Sequence, residues 1–279
     1  MKFGLSLPNH DPFGDINLHI HLAALAEEAG WDGYFIWDHY ARTRNAMTDP
    51  WITMAAIACN TDKMTLGIHV TPLSRRRPWK VAREIVTLDH LSKGRMIMGV
   101  GLGDFRRKEF EGFGEVAEPR IKAEMLDEGI EIITGLQSGE AYKFSGEHYS
   151  VAQTVFNPKP IQHPHVPVWV GGQWPNRPPF RRAARWEGVV PIAKGRKIED
   201  PLTPQEVHEM VDTIHKHRTI DAPFDVCVCG VTEGKSLSKD KAVVAPYPEV
   251  GATWWIDFIY AGRGSVKKNE ERIRFGPPR

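Results

Sequence analysis

Short apolar runs of strand character recur along the chain: KFGLSL, GYFIW, MTLGIHV, RMIMGVG, PVWVGG, GVVPI, FDVCVCG and ATWWIDF. Several are apolar at successive rather than alternate positions, as in strands covered on both faces. Helical spacing separates them. In the first interval Asp15 stands where a cap belongs, Leu18, Leu22, Leu25, Ala26 and Ala29 recur at intervals of three and four, and Gly30 follows as a stop. Further helices are predicted near Trp51–Cys59, Trp79–Leu91, Ile121–Gly135, Phe180–Trp186, Pro204–His217 and Val266–Ile273. The link from the seventh to the eighth run has a poor helical pattern. Eight strands alternating with helices predict an α/β fold, a (β/α)8 TIM barrel. A doubly wound open sheet is the alternative, because periodicity does not register closure. The proline-rich stretch from Ser145 to Pro167 breaks the alternation. It predicts a rim insertion at about 140–166 between strands four and five, with a strand or hairpin at EHYSV. No internal repeat or linker divides residues 1–279, so a single barrel domain is expected.

Composition narrows the partners. Of 279 residues, 41% are hydrophobic and 25% charged, an ordinary globular balance. The net charge of +1 supplies no field for nucleic acid or an anionic membrane. Cys59, Cys227 and Cys229 make no disulfide framework and fit a reducing compartment. The N-terminal run breaks at Pro8, too early for a secretory leader, and no apolar stretch is long enough to span a bilayer. A cytoplasmic protein with a small-molecule substrate is expected, and a homodimer is left open.

In such barrels chemistry sits where strands run into the following loops. This separates two similar dipeptides. Asp38–His39 follows the second strand and faces the site. Asp89–His90 ends the third helix at the opposite, stabilising end, where Asp89 can pair with Arg95. An imidazole beside a carboxylate can hold one tautomer and move a proton near neutral pH; the plainer reading is that Asp38 caps the loop and His39 packs on it. After strand three come Thr71 and the run Arg75, Arg76, Arg77, equally a solvated face or an anion-binding rim. After strand four, Gly99, Gly101 and Gly103 lack dinucleotide-binding spacing and suit a flat ligand lying against backbone. After strand five, Gly171 and Gly172 precede a predicted helix start, which with Arg177 or Arg181 would form a phosphate clamp. Trp37, Trp174, Trp254 and Trp255 either line an apolar pocket or fill the core. No metal site is expected: His19 and His21 lie two apart in a helix, and Cys227 and Cys229 lack a second thiol pair.

The segments KFGLSLP, WDHY, TPLSRRRPWKVAREIVTLDHLSKGRMIMGVGLGD and PVWVGG together resemble the bacterial luciferase-like family of flavin- and deazaflavin-dependent oxidoreductases. The resemblance implies a luciferase-like TIM barrel with an isoalloxazine-type ring at its mouth. It implies that Asp38 and His39 contact the cofactor and donate protons, that Thr71, Leu102, Gly103 and Arg107 contact the cofactor, and that Gly171 and Gly172 hold its phosphate. Asp104 stands where one deazaflavin branch carries a catalytic glutamate. Leu102 takes the place of an FMN-holding arginine, which favours coenzyme F-420 over FMN. Aligned on TPLSRRRP, a non-proline cis bond is expected at Ile68–His69, with His69 behind the ring; a cis Thr71–Pro72 is the neighbouring alternative. The implied activity is hydride transfer between a small organic substrate and the ring. Alternatives are an FMN-dependent monooxygenase using oxygen, a non-catalytic flavin-binding barrel, and a phosphate-ligand isomerase or lyase.

Overall fold

The computed structural model describes residues 1–41, 46–103 and 109–279. Its strands are β1 (Lys2–Leu7), β2 (Gly33–Ile36), β3 (Thr65–Ile68), β4 (Thr71–Pro72), β5 (Met96–Gly101), β6 (Tyr142–Ser145), β7 (Ser150–Thr154), β8 (Val168–Trp174), β9 (Gly188–Ala193), β10 (Asp225–Gly230) and β11 (Trp254–Phe258). Its helices are α1 (Ile16–Glu28), α2 (Pro50–Cys59), α3 (Pro78–Leu91), α4 (Pro119–Gln137), α5 (Arg177–Ala183), α6 (Pro204–His215), α7 (Leu237–Val244) and α8 (Val266–Arg274). The parallel ladder runs β3-β2-β1-β11-β10-β9-β8-β5. β3 then pairs with β5 through Leu66↔Met96 and Gly67↔Ile97. That last pairing closes the sheet and decides between the barrel and the open alternative. The expected helices are present with slightly different ends, and Asp15 caps α1 by accepting from Asn17 N at 2.9 Å. The link between the last two barrel strands holds a short helix, α7, that the sequence pattern did not indicate.

Successive strand residues point alternately to the axis and to the helices. Trp254 therefore joins Phe35, Ile97, Trp169, Cys227, Cys229 and Ile256 inside the barrel, while Trp255 packs with the helix-facing core. The two thiols are buried packing groups, and burial pushes Cys229 up to about 12. The axial rings need room: a Cβ on Gly33 would sit 2.9 Å from Phe35 Cε2 and 3.0 Å from Trp254 Cζ3.

Strand three is interrupted. β3 and β4 both pair with β5, yet from Gly67↔Ile97 to Thr71↔Val100 one side advances four residues and the other three. The extra residue makes a bulge at His69–Val70, and that peptide bond is cis. The expected cis bond thus lies one residue later than Ile68–His69, and Thr71–Pro72 is not among the cis bonds. Gly99 admits the bulge: a Cβ there would fall 2.0 Å from Ile68 O.

The insertion between β5 and β8 contains the antiparallel β6–β7 hairpin, paired through Phe144↔Val151 and Ser145↔Ser150. Its return path is pinned at the N-terminal end of the barrel. Asp89 accepts from Ile161 N at 2.7 Å and from Gln162 Nε2 at 2.7 Å, and His90 Nε2 lies 2.7 Å from Lys159 O. Asp89 is structural as expected, but its partner is not Arg95. That guanidinium donates instead to the carbonyls of Ala58, Thr61, Met64 and Ser92. Among the described residues no helix is long and apolar enough to cross a membrane.

Candidate active site

The site is built from loops that leave the C-terminal ends of β1, β2, β3 and β5. Asn9, just past β1, clasps the backbone of His39: its Nδ2 donates to His39 O at 2.9 Å and to Thr48 O at 2.8 Å, and its Oδ1 accepts from His39 N at 3.2 Å. The His39 ring is held among His10 and Trp37, with centroids 5.7 and 6.1 Å away in edge contacts. Trp37 is fixed in turn by donating to Ser6 Oγ at 3.0 Å.

Asp38 and His39 do not form a proton-transfer pair with each other. The Asp38 carboxylate is fully buried and occupied by arginines: Arg75 Nη2 reaches Oδ1 at 3.0 Å, and Arg76 Nη2 reaches Oδ2 at 2.9 Å. The carboxylate beside His39 is Glu109, whose Oε2 lies 3.0 Å from Nδ1. The same oxygen accepts from Arg75 Nη1 at 3.2 Å, and Oε1 accepts from Tyr40 N and Ala41 N at 3.0 and 3.1 Å. Burial pushes this carboxyl up, but the bond to His39, the His39 charge, the Ala41 N–H and the Arg75 guanidinium outweigh it and hold it down at about 2. Arg76, Asp38, Arg75, Glu109 and His39 therefore form one chain of polar contacts across three loops. Neither reading left open for the arginine run, a solvated face or an anion-binding rim, describes Arg75 and Arg76, whose guanidiniums are paired with carboxylates within the protein. Tyr40 covers them, its ring 3.9 Å from Arg75 Cζ.

Beside this network the bulge presents Val70 to the mouth. Glycines on the two neighbouring strands make room for it: a Cβ on Gly101, the last residue of β5, would lie 2.7 Å from Val70 Cγ2, and one on Gly171, within β8, 3.1 Å from Val70 Cγ1. Leu102 is half-buried against the core, and Gly103 adopts φ +75°, where a Cβ would strike Pro72 at 2.8 Å. The half-buried Val70 seated between two glycines, with an imidazole on the neighbouring β2 loop, fits a flat conjugated ring.

Other expected residues are placed differently. His69 lies beneath Val70, stacked on Phe35 at 4.1 Å, inside the barrel rather than at its open face. Both its ring nitrogens are buried without partners, and burial pushes it down to about 3. Thr71 is buried with its hydroxyl unpartnered. Gly171 and Gly172 are not themselves at the helix start. Gly171 and Gly172 lie inside β8, paired with Val190 and Pro191, and α5 begins only at Arg177. A Cβ on Gly172 would lie 2.5 Å from Pro179 Cβ, so that glycine serves close strand–helix packing. Arg177 is drawn to the outer layer by Thr213 Oγ1 at 2.5 Å and stacks over Trp174. Trp174 is buried against Phe180, which leaves Trp37 as the tryptophan of the four at the mouth. Asp104 and Arg107 lie outside the described residues. Glu109 and Asn9 were missed. A lone Glu in the charged run RRKEF reads as solvated surface, and its partner His39 is 70 positions away.

Comparison with known proteins agrees with this architecture. An F420-dependent glucose-6-phosphate dehydrogenase of Microbacterium testaceum is 31% identical over 183 residues, covering 63% of this chain and 52% of that protein. The chain spans about half the length of the curated relatives it matches. An F420-dependent secondary alcohol dehydrogenase, solved with an F420–acetone adduct, superposes with a TM-score of 0.77 at 14% identity, over 98% of this chain and 97% of that one. The oxygenating constituent of 3,6-diketocamphane monooxygenase from Pseudomonas putida, solved with FMN, superposes with a TM-score of 0.66 at 18% identity, over 88% of this chain and 70% of that one. These two likenesses show the shared barrel fold. The luciferase-like monooxygenase family matches residues 1–185, which span the first five barrel strands, the bulge and every residue of the His39 network, and the chain belongs to that family.

Proposed function

We propose that this chain is an oxidoreductase that moves a hydride between a small organic substrate and a deazaflavin, coenzyme F-420, held at the open end of the barrel. The reading rests on the half-buried Val70, seated between Gly101 and Gly171, and on an imidazole backed by a buried carboxylate on the loop after the adjoining strand β2. When bound, the ring accepts or returns a hydride. The protein's part is to orient it and to move a proton. Val70 and the glycine backbone would support one face. His39, gripped at its backbone by Asn9 and at Nδ1 by Glu109, would exchange a proton with the substrate. The aromatic wall of Trp37, Phe258 and Tyr260 would limit water on the far side. Leu102 in place of a charged side chain, and the F420-dependent relative at 31% identity, support F-420 over FMN.

The test is anaerobic reduction of F-420 by a panel of candidate substrates, followed by loss of its visible absorbance. Wild-type protein should reduce the cofactor. His39→Ala should lower kcat about 10²–10⁴-fold, the range of a lost proton-transfer group, with cofactor affinity changed by less than about threefold. Turnover with FMN and oxygen alone would favour the monooxygenase reading. No turnover with either cofactor, despite binding, would favour a non-catalytic barrel.

A further inference from the structure

We propose that Glu109 is a positioning residue that fixes the tautomer of His39, with the proton on Nδ1 and Nε2 left as the acceptor at the barrel mouth. The catalytic consequence rests on the function proposed above; the tautomer itself does not.

The assignment follows from what each Glu109 oxygen faces. Oε1 receives two backbone N–H groups, from Tyr40 and Ala41, which only donate. Oε2 faces Arg75 Nη1, which also only donates, and His39 Nδ1. An ionised carboxylate has no proton to give, so Nδ1 must be the donor. Rotation of the carboxylate is opposed because Arg75 is itself anchored on Asp38 at 3.0 Å. Flipping the imidazole would break the Glu109 bond, and the ring is flanked by His10 and Trp37. Among the described residues, the charged and titratable groups around His39 are Glu109, Arg75, Asp38, Arg76, Tyr40 and His10. The two arginines and two carboxylates balance formally, so the preference comes from hydrogen-bond direction rather than net charge. An acceptor at Nε2 suits a substrate that gives up a hydroxyl proton as a hydride leaves the same carbon for the cofactor, forming C=O.

Substituting Glu109→Gln discriminates sharply. Oε1 faces two N–H donors and Oε2 only the one from Arg75, so the amide oxygen stays at Oε1 and the NH2 replaces Oε2, at the cost of the Arg75 contact. That NH2 would donate to Nδ1 and force the proton onto Nε2. The experiment is 15N NMR of the cofactor-free protein labelled at histidine, with the His39 signals assigned by their loss in His39→Ala. In wild type with a neutral ring, Nδ1 should be protonated and Nε2 should show the shift of a bare ring nitrogen. In Glu109→Gln the pattern should invert, with kcat for F-420 reduction lowered about 10²–10⁴-fold and cofactor affinity within about threefold. A proton on Nε2 in wild type would overturn the proposal without any variant. So would an unchanged pattern in a folded Glu109→Gln protein. Inversion with undiminished kcat would overturn the positioning role. If wild type turns over with neither cofactor, the proposed function fails while the 15N pattern still decides the tautomer.

Discussion

Asp38 Oδ1 accepts from Arg75 Nη2 at 3.0 Å, and neither side chain is reached appreciably by solvent. Such a pair is weak evidence of net stabilisation, because both charges lost their water. Removing one partner alone is costly, since the other is left buried and uncompensated. Asp38→Ala should therefore destabilise the fold by about 3–5 kcal/mol, read as a lower urea midpoint at unchanged m. A loss below about 1 kcal/mol would mean that the two arginines find other acceptors and that Asp38 does not anchor the His39 network.

The adjacent glycines Gly171 and Gly172 should respond in opposite ways. A methyl on Gly172 enters α5 at Pro179, so Gly172→Ala should cost about 1–3 kcal/mol of stability and leave cofactor affinity within about threefold. A methyl on Gly171 meets the Val70 methyls at the mouth, so Gly171→Ala should weaken cofactor binding with a smaller effect on the urea midpoint. Equal loss of affinity in both variants would instead support the phosphate-clamp expectation.

Much of the barrel was legible because burial on both faces leaves a strong mark on composition, as in GYFIW and RMIMGVG, and because Asp15 and Gly30 bracket their helix. The location of Asp38–His39 was legible for the same reason: it follows a strand, and that end of a barrel carries chemistry. Their partners were not. Glu109 meets His39 only after the loops of β2 and β5 are brought together by closure through β3, a relation that no local spacing encodes. The cis bond was placed one residue early because a bulge adds a residue to one strand alone, and side-chain alternation loses its phase there. Gly171 and Gly172 looked equivalent as a dipeptide. The pleat sends one toward the mouth and the other toward α5.

The buried histidines set an acid limit on stability. Burial pushes His69 down to about 3 and His19 to about 4, so both stay neutral in the fold where the unfolded chain takes up protons. Stability should fall as pH drops from about 6.5 toward 4, and more steeply the more such groups contribute. His69→Phe keeps a ring stacked on Phe35 and removes two buried unpartnered nitrogens. Between about pH 4 and 6 it should reduce the slope of unfolding free energy by about 1.4 kcal/mol per pH unit, the weight of one proton. Urea titrations across that range measure it, and an unchanged slope would show that His69 is protonated or hydrated in the fold.

The most direct test of the central claim is equilibrium titration of the purified protein with F-420 and, separately, with FMN, followed by cofactor fluorescence, in wild type and in Gly171→Ala. Saturable one-to-one binding of F-420, tighter than FMN and weakened by Gly171→Ala, is the expected result. Binding of neither cofactor, or binding indifferent to Gly171, would contradict the placement of a flat redox ring on the Val70 ledge.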